Sequence, residues 1–114
     1  MCEVMDANLS NTLGLVVRFR LKPGKEQDFD QLVARTVVQI QQHEPGTLLY
    51  LCQSVDGAPD QRIFYELYQD REAFKAHEGQ PYVQDFLTVA RENLLEGFDV
   101  EFLTPQAQAG SLLR

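Results

Sequence analysis

Between Arg62 and His77 the spacing of apolar residues changes once, and that change fixes a strand running directly into a helix. Over Ile63–Tyr68 the chain alternates: Phe64, Glu66 and Tyr68 fall on one face, and Ile63, Tyr65 and Leu67 on the other. Asp70 then offers a helix N-cap, and Glu72 adds negative charge to the first turn. The helix that follows is short and ends near His77, with Gly79 and Pro81 to stop it. A carboxyl group thus sits mid-strand in an aromatic run, and a histidine at the end of the next helix. Burying a glutamate is costly unless it is paired or protonated, so Glu66 and His77 are the first candidates for acid–base chemistry.

The remaining segments fall into place around this unit. Leu13–Leu21 alternates, with Leu15, Val17, Phe19 and Leu21 on one face and Val16, Arg18 and Arg20 on the other. Lys22-Pro23-Gly24 breaks it. From Lys25 to about His43, Phe29, Leu32, Val33, Thr36, Val37 and Ile40 recur at helical spacing, and Glu44-Pro45-Gly46 ends that helix. Thr47–Val55 reads as a strand with Leu48, Tyr50 and Cys52 on one face. The turn cluster Asp56–Asp60 joins it in an antiparallel hairpin to a strand over about Gln61–Tyr68. After the short helix, a second one runs from about Pro81 to Leu95. A last strand follows over Phe98–Leu103, closed by Pro105.

The order β-α-β-β-α-β, with the second helix in two pieces, predicts an α+β, ferredoxin-like fold: a four-stranded antiparallel sheet with helices on one face. Periodicity does not say which alternating set faces the helices. If Leu49, Leu51, Tyr65 and Leu67 face away, they form an apolar patch, and a homodimer packed sheet on sheet is the simplest cover. Residues 1–12 read as a flexible N-terminal arm, 13–104 as the domain and 105–114 as a tail whose Leu112 and Leu113 have no place in the four-stranded core.

One compact domain suits 114 residues. The formal charge of -7 disfavours nucleic acid and anionic membrane surfaces, because phosphate binding needs clustered Lys and Arg. No apolar run spans a bilayer, and Met1–Asp6 carries acids where a secretion signal needs bases. The two cysteines, Cys2 and Cys52, make no disulfide framework and fit a reducing cytoplasm.

Each candidate group has a plain structural alternative. His77 can be a surface histidine favoured by the helix dipole, or a general base. Glu66 can face solvent or pair with Arg18 or Arg20. Alternatively it faces the helices among Phe64, Tyr68 and Tyr50, where apolar burial raises its pKa. Tyr50, Phe64, Tyr68 and Tyr82 are the candidates for a pocket lining, although most such aromatics are structural. His43 reads as a helix-end residue and Cys52 as a small buried hydrophobe. The two histidines lie in separate segments without ligand spacing, so no metal site is expected, and no phosphate loop or dinucleotide fingerprint occurs.

Together these segments resemble the antibiotic biosynthesis monooxygenase family, a group of dimeric α+β barrels. The resemblance is carried by Lys22-Pro23-Gly24-Lys25, Glu44-Pro45-Gly46-Thr47 with Tyr50, Tyr65-Glu66-Leu67-Tyr68 with Asp70, Ala73 and His77, and Pro81-Tyr82, spread over about Leu13–Leu103. It implies a homodimer acting on a small molecule, and several chemistries. Some members oxidise quinols or polyketide anthrols with dioxygen and no cofactor, relatives isomerise a phosphorylated sugar-like signal, and others degrade haem. The haem degraders carry an asparagine on the first strand, a tryptophan at the end of the third and a ligating histidine on the last helix. Val17, Tyr68 and Phe86-Leu87 stand there instead, so no cofactor is expected. Within the resemblance, His77 is the base, Glu66 holds its tautomer or relays its proton, and Tyr50 and Tyr68 grip the substrate oxygens. The alternatives are an isomerase of a small phosphorylated keto compound, for which Arg71, Lys75 and Arg91 could supply cationic contacts, and a non-catalytic binding dimer.

Overall fold

A computed structural model of the chain describes residues 11–110. Most of the predicted N-terminal arm, and Leu112 and Leu113 of the tail, lie outside the described residues. The elements run β1 (Leu13–Leu21), α1 (Glu26–His43), β2 (Thr47–Val55), β3 (Ala58–Tyr68), α2 (Arg71–Glu78), α3 (Pro81–Val89), a π-helical turn (Ala90–Leu94) and β4 (Leu95–Leu103). The strands form one antiparallel sheet in the order β2-β3-β1-β4, as the predicted ferredoxin-like topology requires.

The face that periodicity left open is settled by burial. Leu13, Leu15, Val17, Phe19 and Leu21 are all buried beneath the helices. Register places Val17 between Phe64 of β3 and Val100 of β4, and Leu15 between Glu66 and Phe102. Tyr50 and Cys52 of β2 lie opposite Glu66 and Phe64, so all these side chains share the helix side. The helices close over it with Phe29, Leu32, Val33 and Ile40 of α1 and Val83 and Phe86 of α3. Phe19, Phe29, Phe64 and Phe86 meet at ring distances of 5.0–6.3 Å, mostly edge-on or tilted, as ring quadrupoles prefer. Arg62 fixes α1 to β3 with a fork: Nε and Nη2 donate to the two oxygens of Asp30 at 2.9 and 3.0 Å.

Two boundaries differ from the periodicity reading. The β2–β3 turn is only Asp56-Gly57, with Gly57 at φ 81°, so β3 begins at Ala58 rather than Gln61. Pro59 is accommodated where the register shifts between Val55–Ala58 and Ser54–Arg62, so its missing N–H costs no regular ladder bond. The last strand starts at Leu95 because the π-helical turn delivers the chain directly into the sheet beside Leu21. On the face away from the helices, Leu51 is exposed, whereas Leu67 is buried. A depression of about 330 Å³ there is lined by Gly14, Tyr65 and Leu67 together with Pro105, Ala107 and Ala109 of the chain's own C-terminal segment. No helix among the described residues is long and apolar enough to cross a membrane.

Candidate active site

The helix side of the sheet is not filled to the β4 edge. A cavity of about 290 Å³ remains between β1, β4, α2 and α3. Its walls are Leu15, Val17, Phe19, Val83, Phe86, Leu87, Phe98, Val100 and other carbon surfaces, and its polar groups are Tyr50, Glu66, His77, Glu78 and Arg91. Val100 and Phe102 are 40% and 58% exposed, which marks the β4 side as the open one.

His77 comes to this cavity on α2. Asp70 caps that helix, its Oδ1 accepting the Ala73 N–H at 2.8 Å. The helix sits close against the start of β2 because residue 46 has no side chain: a Cβ on Gly46 would lie 2.6 Å from the Ala73 Cβ. Gln69 N–H also donates to the Gly46 carbonyl at 2.8 Å, pinning β3 at the same point. His77 is therefore carried inward and is only 4% exposed.

Its partner is Glu44, not Glu66. The imidazole Nδ1 lies 2.8 Å from Glu44 Oε1. The same oxygen accepts the Thr47 hydroxyl at 2.6 Å, and Oε2 accepts a short hydrogen bond from the Tyr82 hydroxyl. Three donors therefore surround one buried carboxylate, which offsets the cost of removing it from water. With Nδ1–H donating to Glu44, Nε2 carries the free lone pair of the neutral ring. Among the described residues Nε2 has no hydrogen-bond partner, and no fully buried side-chain nitrogen or oxygen is unpaired. Nε2 therefore faces open space, and His77 lines the cavity.

Glu66 reaches the cavity from mid-β3 and is 5% exposed. One oxygen accepts the Tyr68 hydroxyl at 2.5 Å. Desolvation pushes the carboxyl up to about 7. The Tyr68 hydrogen bond opposes this, and the neighbouring Glu44 and Glu78 charges add to it. Near neutrality Glu66 is thus a mixture of acid and carboxylate, able to give or take a proton.

The other predicted residues divide. Tyr50 lines the cavity, its ring centroid 5.4 Å from that of His77, and burial raises its phenol well above the usual range. Tyr68 is fully buried. Its ring packs 5.2 Å from His77 and its hydroxyl is spent on Glu66, so it supports the acid instead of reaching the cavity. Phe64 is fully buried between Phe19 and Phe29 and lies in the core. Tyr82 stands behind Glu44, where burial and the carboxylate hold its phenol protonated. Glu66 and His77 meet at one cavity but not in one hydrogen bond, and the histidine's tautomer is held by Glu44. Cys52 is held as a thiol, burial pushing it up to about 11. Arg71 and Lys75 are not among the lining residues, whereas Arg91 is.

Periodicity marks Glu44 as the end of a helix and assigns it no place in the site. The signal was present in the sequence as a carboxylate beside a Pro-Gly break with Thr47 three residues on, but its histidine lies 33 residues away.

The profile of the antibiotic biosynthesis monooxygenase family matches residues 12–89, from before β1 to the end of α3. A comparison with curated proteins finds no significant match. Among solved structures, a candidate antibiotic biosynthesis monooxygenase of Caulobacter crescentus superposes with a TM-score of 0.80 at 19% identity, over 92% of this chain and 99% of that one. One of Chloroflexus aurantiacus gives 0.71 at 27% identity, over 88% and 98%. A protein of Pseudomonas aeruginosa gives 0.77 at 20% identity, over 87% and 98%.

Proposed function

We propose, since the chain belongs to the antibiotic biosynthesis monooxygenase family, that it oxidises a small aromatic substrate, a quinol or polyketide-like anthrol, with dioxygen and without a cofactor. The observation that carries this reading is the cavity itself: carbon walls of aromatic and aliphatic side chains, with one free imidazole nitrogen and one readily protonated carboxyl aimed into it.

The chemistry asks little of the protein. His77 Nε2 takes the phenolic proton, and the resulting phenolate gives one electron to dioxygen. The phenoxyl radical and superoxide combine at a ring carbon ortho or para to the oxygen that still carries hydrogen. That carbon then loses its hydrogen as a proton while the O–O bond breaks. One oxygen atom stays as the new carbonyl, and the other leaves as water, with Glu66 supplying a proton and later recovering it. The apolar walls hold the ring and keep bulk water from the radical pair. The proximity of the Tyr50 ring to His77, 5.4 Å between centroids, supports a hydrogen bond from its hydroxyl to a substrate oxygen.

The isomerase alternative is less well supported. A phosphorylated ketose needs several cationic contacts, and only Arg91 of the candidate cations lines the cavity, with Glu78 lining it too. We place the enzyme in the cytoplasm, as its free Cys52 and acidic surface suit. A homodimer formed through the helix-free sheet face, with exposed Leu51 and the tail beyond Pro105 at the seam, completes the proposal.

Oxygen uptake with a panel of quinols, anthrols and phosphorylated ketoses tests the activity. Uptake matched by quinone formation is expected with an aromatic member, and turnover of a ketose without oxygen uptake would contradict the reading. Sedimentation at micromolar concentration tests the dimer. Deleting residues 106–114 should weaken association, and a monomeric full-length protein would contradict it.

A further inference from the structure

The cavity has two chemically different ends, and strand register places them apart. Glu66 is level with Leu15 and Phe102, and Tyr50 pairs with Glu66 across β2. The acid–base groups therefore gather at the Leu15 level. Arg91 lies at the other end. Its guanidinium carbon sits 5.2 Å from the ring centroid of Phe98, which is level with Phe19. Four residues of β1 separate the two levels, about 13 Å at the usual strand rise. Between them the lining is carbon: Val17, Phe86, Leu87 and Val100.

Arg91 is exposed, makes no ion pair among the described residues, and is the one basic side chain besides His77 that lines the cavity. It leaves the π-helical turn Ala90–Leu94, where Leu95 N–H bonds back to the Ala90 carbonyl, while Ala90 and Leu94 stay in the core. Such single wide turns recur at functional sites. The guanidinium lies over the Phe98 ring, and its N–H groups make no hydrogen bond to a protein acceptor among the described residues, which leaves them available to a ligand. The other acid on the lining, Glu78, directly follows His77 at the end of α2 and so belongs to the opposite end.

We infer that Arg91 is a specificity-determining residue that selects aromatic substrates carrying an anionic group, a carboxylate, at the end of the ring system remote from the reacting hydroxyl. This rests on the proposed aromatic-oxidation reading and adds the substrate class. Two fused rings with a hydroxyl at one end and a carboxylate at the other, with a hydrogen bond of about 2.8 Å at each end, span that order of distance. A chain of charge -7 repels anions in general, so an anionic ligand needs such a local cation. Arginine is suited to it because its planar fork matches a carboxylate with two parallel bonds.

Equilibrium binding, followed by naphthol fluorescence, separates this inference from the reading beneath it. The probes are 6-hydroxy-2-naphthoate and 2-naphthol, and the proteins are wild type, Arg91→Gln and Arg91→Lys. Wild type should bind the carboxylate about tenfold more tightly. Arg91→Gln should reduce that preference to about one, and Arg91→Lys should keep part of it. Raising salt should erode the wild-type preference and leave the Arg91→Gln ratio unchanged. Saturable binding of both probes without a wild-type preference, or a preference that survives Arg91→Gln, overturns the role of Arg91 and leaves the aromatic site standing. No saturable binding of either probe overturns both.

Discussion

Glu44 and Glu66 bury their carboxyl groups to similar depth, 8% and 5% exposed, one where α1 ends and the other in the middle of β3. Around Glu44 stand three donors, from His77, Thr47 and Tyr82. Around Glu66 stands one, from Tyr68, with acidic neighbours beyond it. The first environment fixes a carboxyl group in place by hydrogen bonds, so that it orients an imidazole. The second makes a carboxyl group that changes protonation near neutrality and faces a cavity. Depth of burial alone does not decide what a buried acid does; the number and sign of its neighbours do.

That contrast can be broken at several points. The largest effect is expected at His77, the group that Glu44 orients. His77→Ala should lower turnover of an accepted quinol by about 10²–10⁴-fold, the usual worth of a positioned base. Oxygen uptake measures it, and a loss under threefold would remove His77 from the chemistry. Glu44→Gln should come next. The amide keeps the shape but presents a donor where an anion stood, so His77 loses its orientation and turnover should fall about 10²-fold. Unfolding free energy should fall by about 1–3 kcal/mol as well, since buried donors lose their acceptor.

Glu66→Gln sharpens the comparison through pH. The folded pKa of Glu66 lies near 7, above the ordinary 4.5, so the folded chain retains a proton that the unfolded chain releases in that interval. The stability this group contributes is present in full below about pH 4.5 and lost as pH rises through about 7. Wild type should therefore lose up to about 3 kcal/mol relative to Glu66→Gln across that window. Urea unfolding at several pH values measures this, and parallel curves for the two proteins would place Glu66 in an ordinary solvated environment.

A smaller effect is expected at the hinge between the two environments. Gly46→Ala pushes a methyl group into Ala73 and should cost about 1–3 kcal/mol by moving α2. Adding Ala73→Gly should restore most of it. If the pair of substitutions is no better than the first alone, contact between these two residues is not what sets the position of α2.

The sequence disclosed one half of this comparison more readily than the other. Glu66 was legible because alternation assigns each strand residue to a face, and Phe64 and Tyr68 drew attention to its side. The order of elements and the antiparallel hairpin followed from the same periodicity. Periodicity does not give depth within a face, and so Phe64 was grouped with pocket residues although Phe19 and Phe29 cover it. Nor does it give contacts between distant segments. Glu44, His77 and Tyr82 meet only because α1 ends where α2 passes Gly46, a tertiary fact with no local signature. A carboxylate before Pro-Gly reads as the end of a helix, which Glu44 also is, its N–H bonding to Ile40. The π-helical turn was likewise hidden, since Ala90 to Leu94 has the composition of an ordinary helix.

The central claim is that Glu44 holds His77 with Nδ1 protonated and Nε2 free toward the cavity. Nitrogen-15 NMR of the imidazole, at a pH where the ring is neutral, reads the tautomer directly. The wild-type protein should show His77 as the Nδ1–H form, and Glu44→Gln should shift it toward a mixture with the Nε2–H form. An Nε2–H ring in the wild type would contradict the account, because the nitrogen assigned to take the substrate's proton would already carry one.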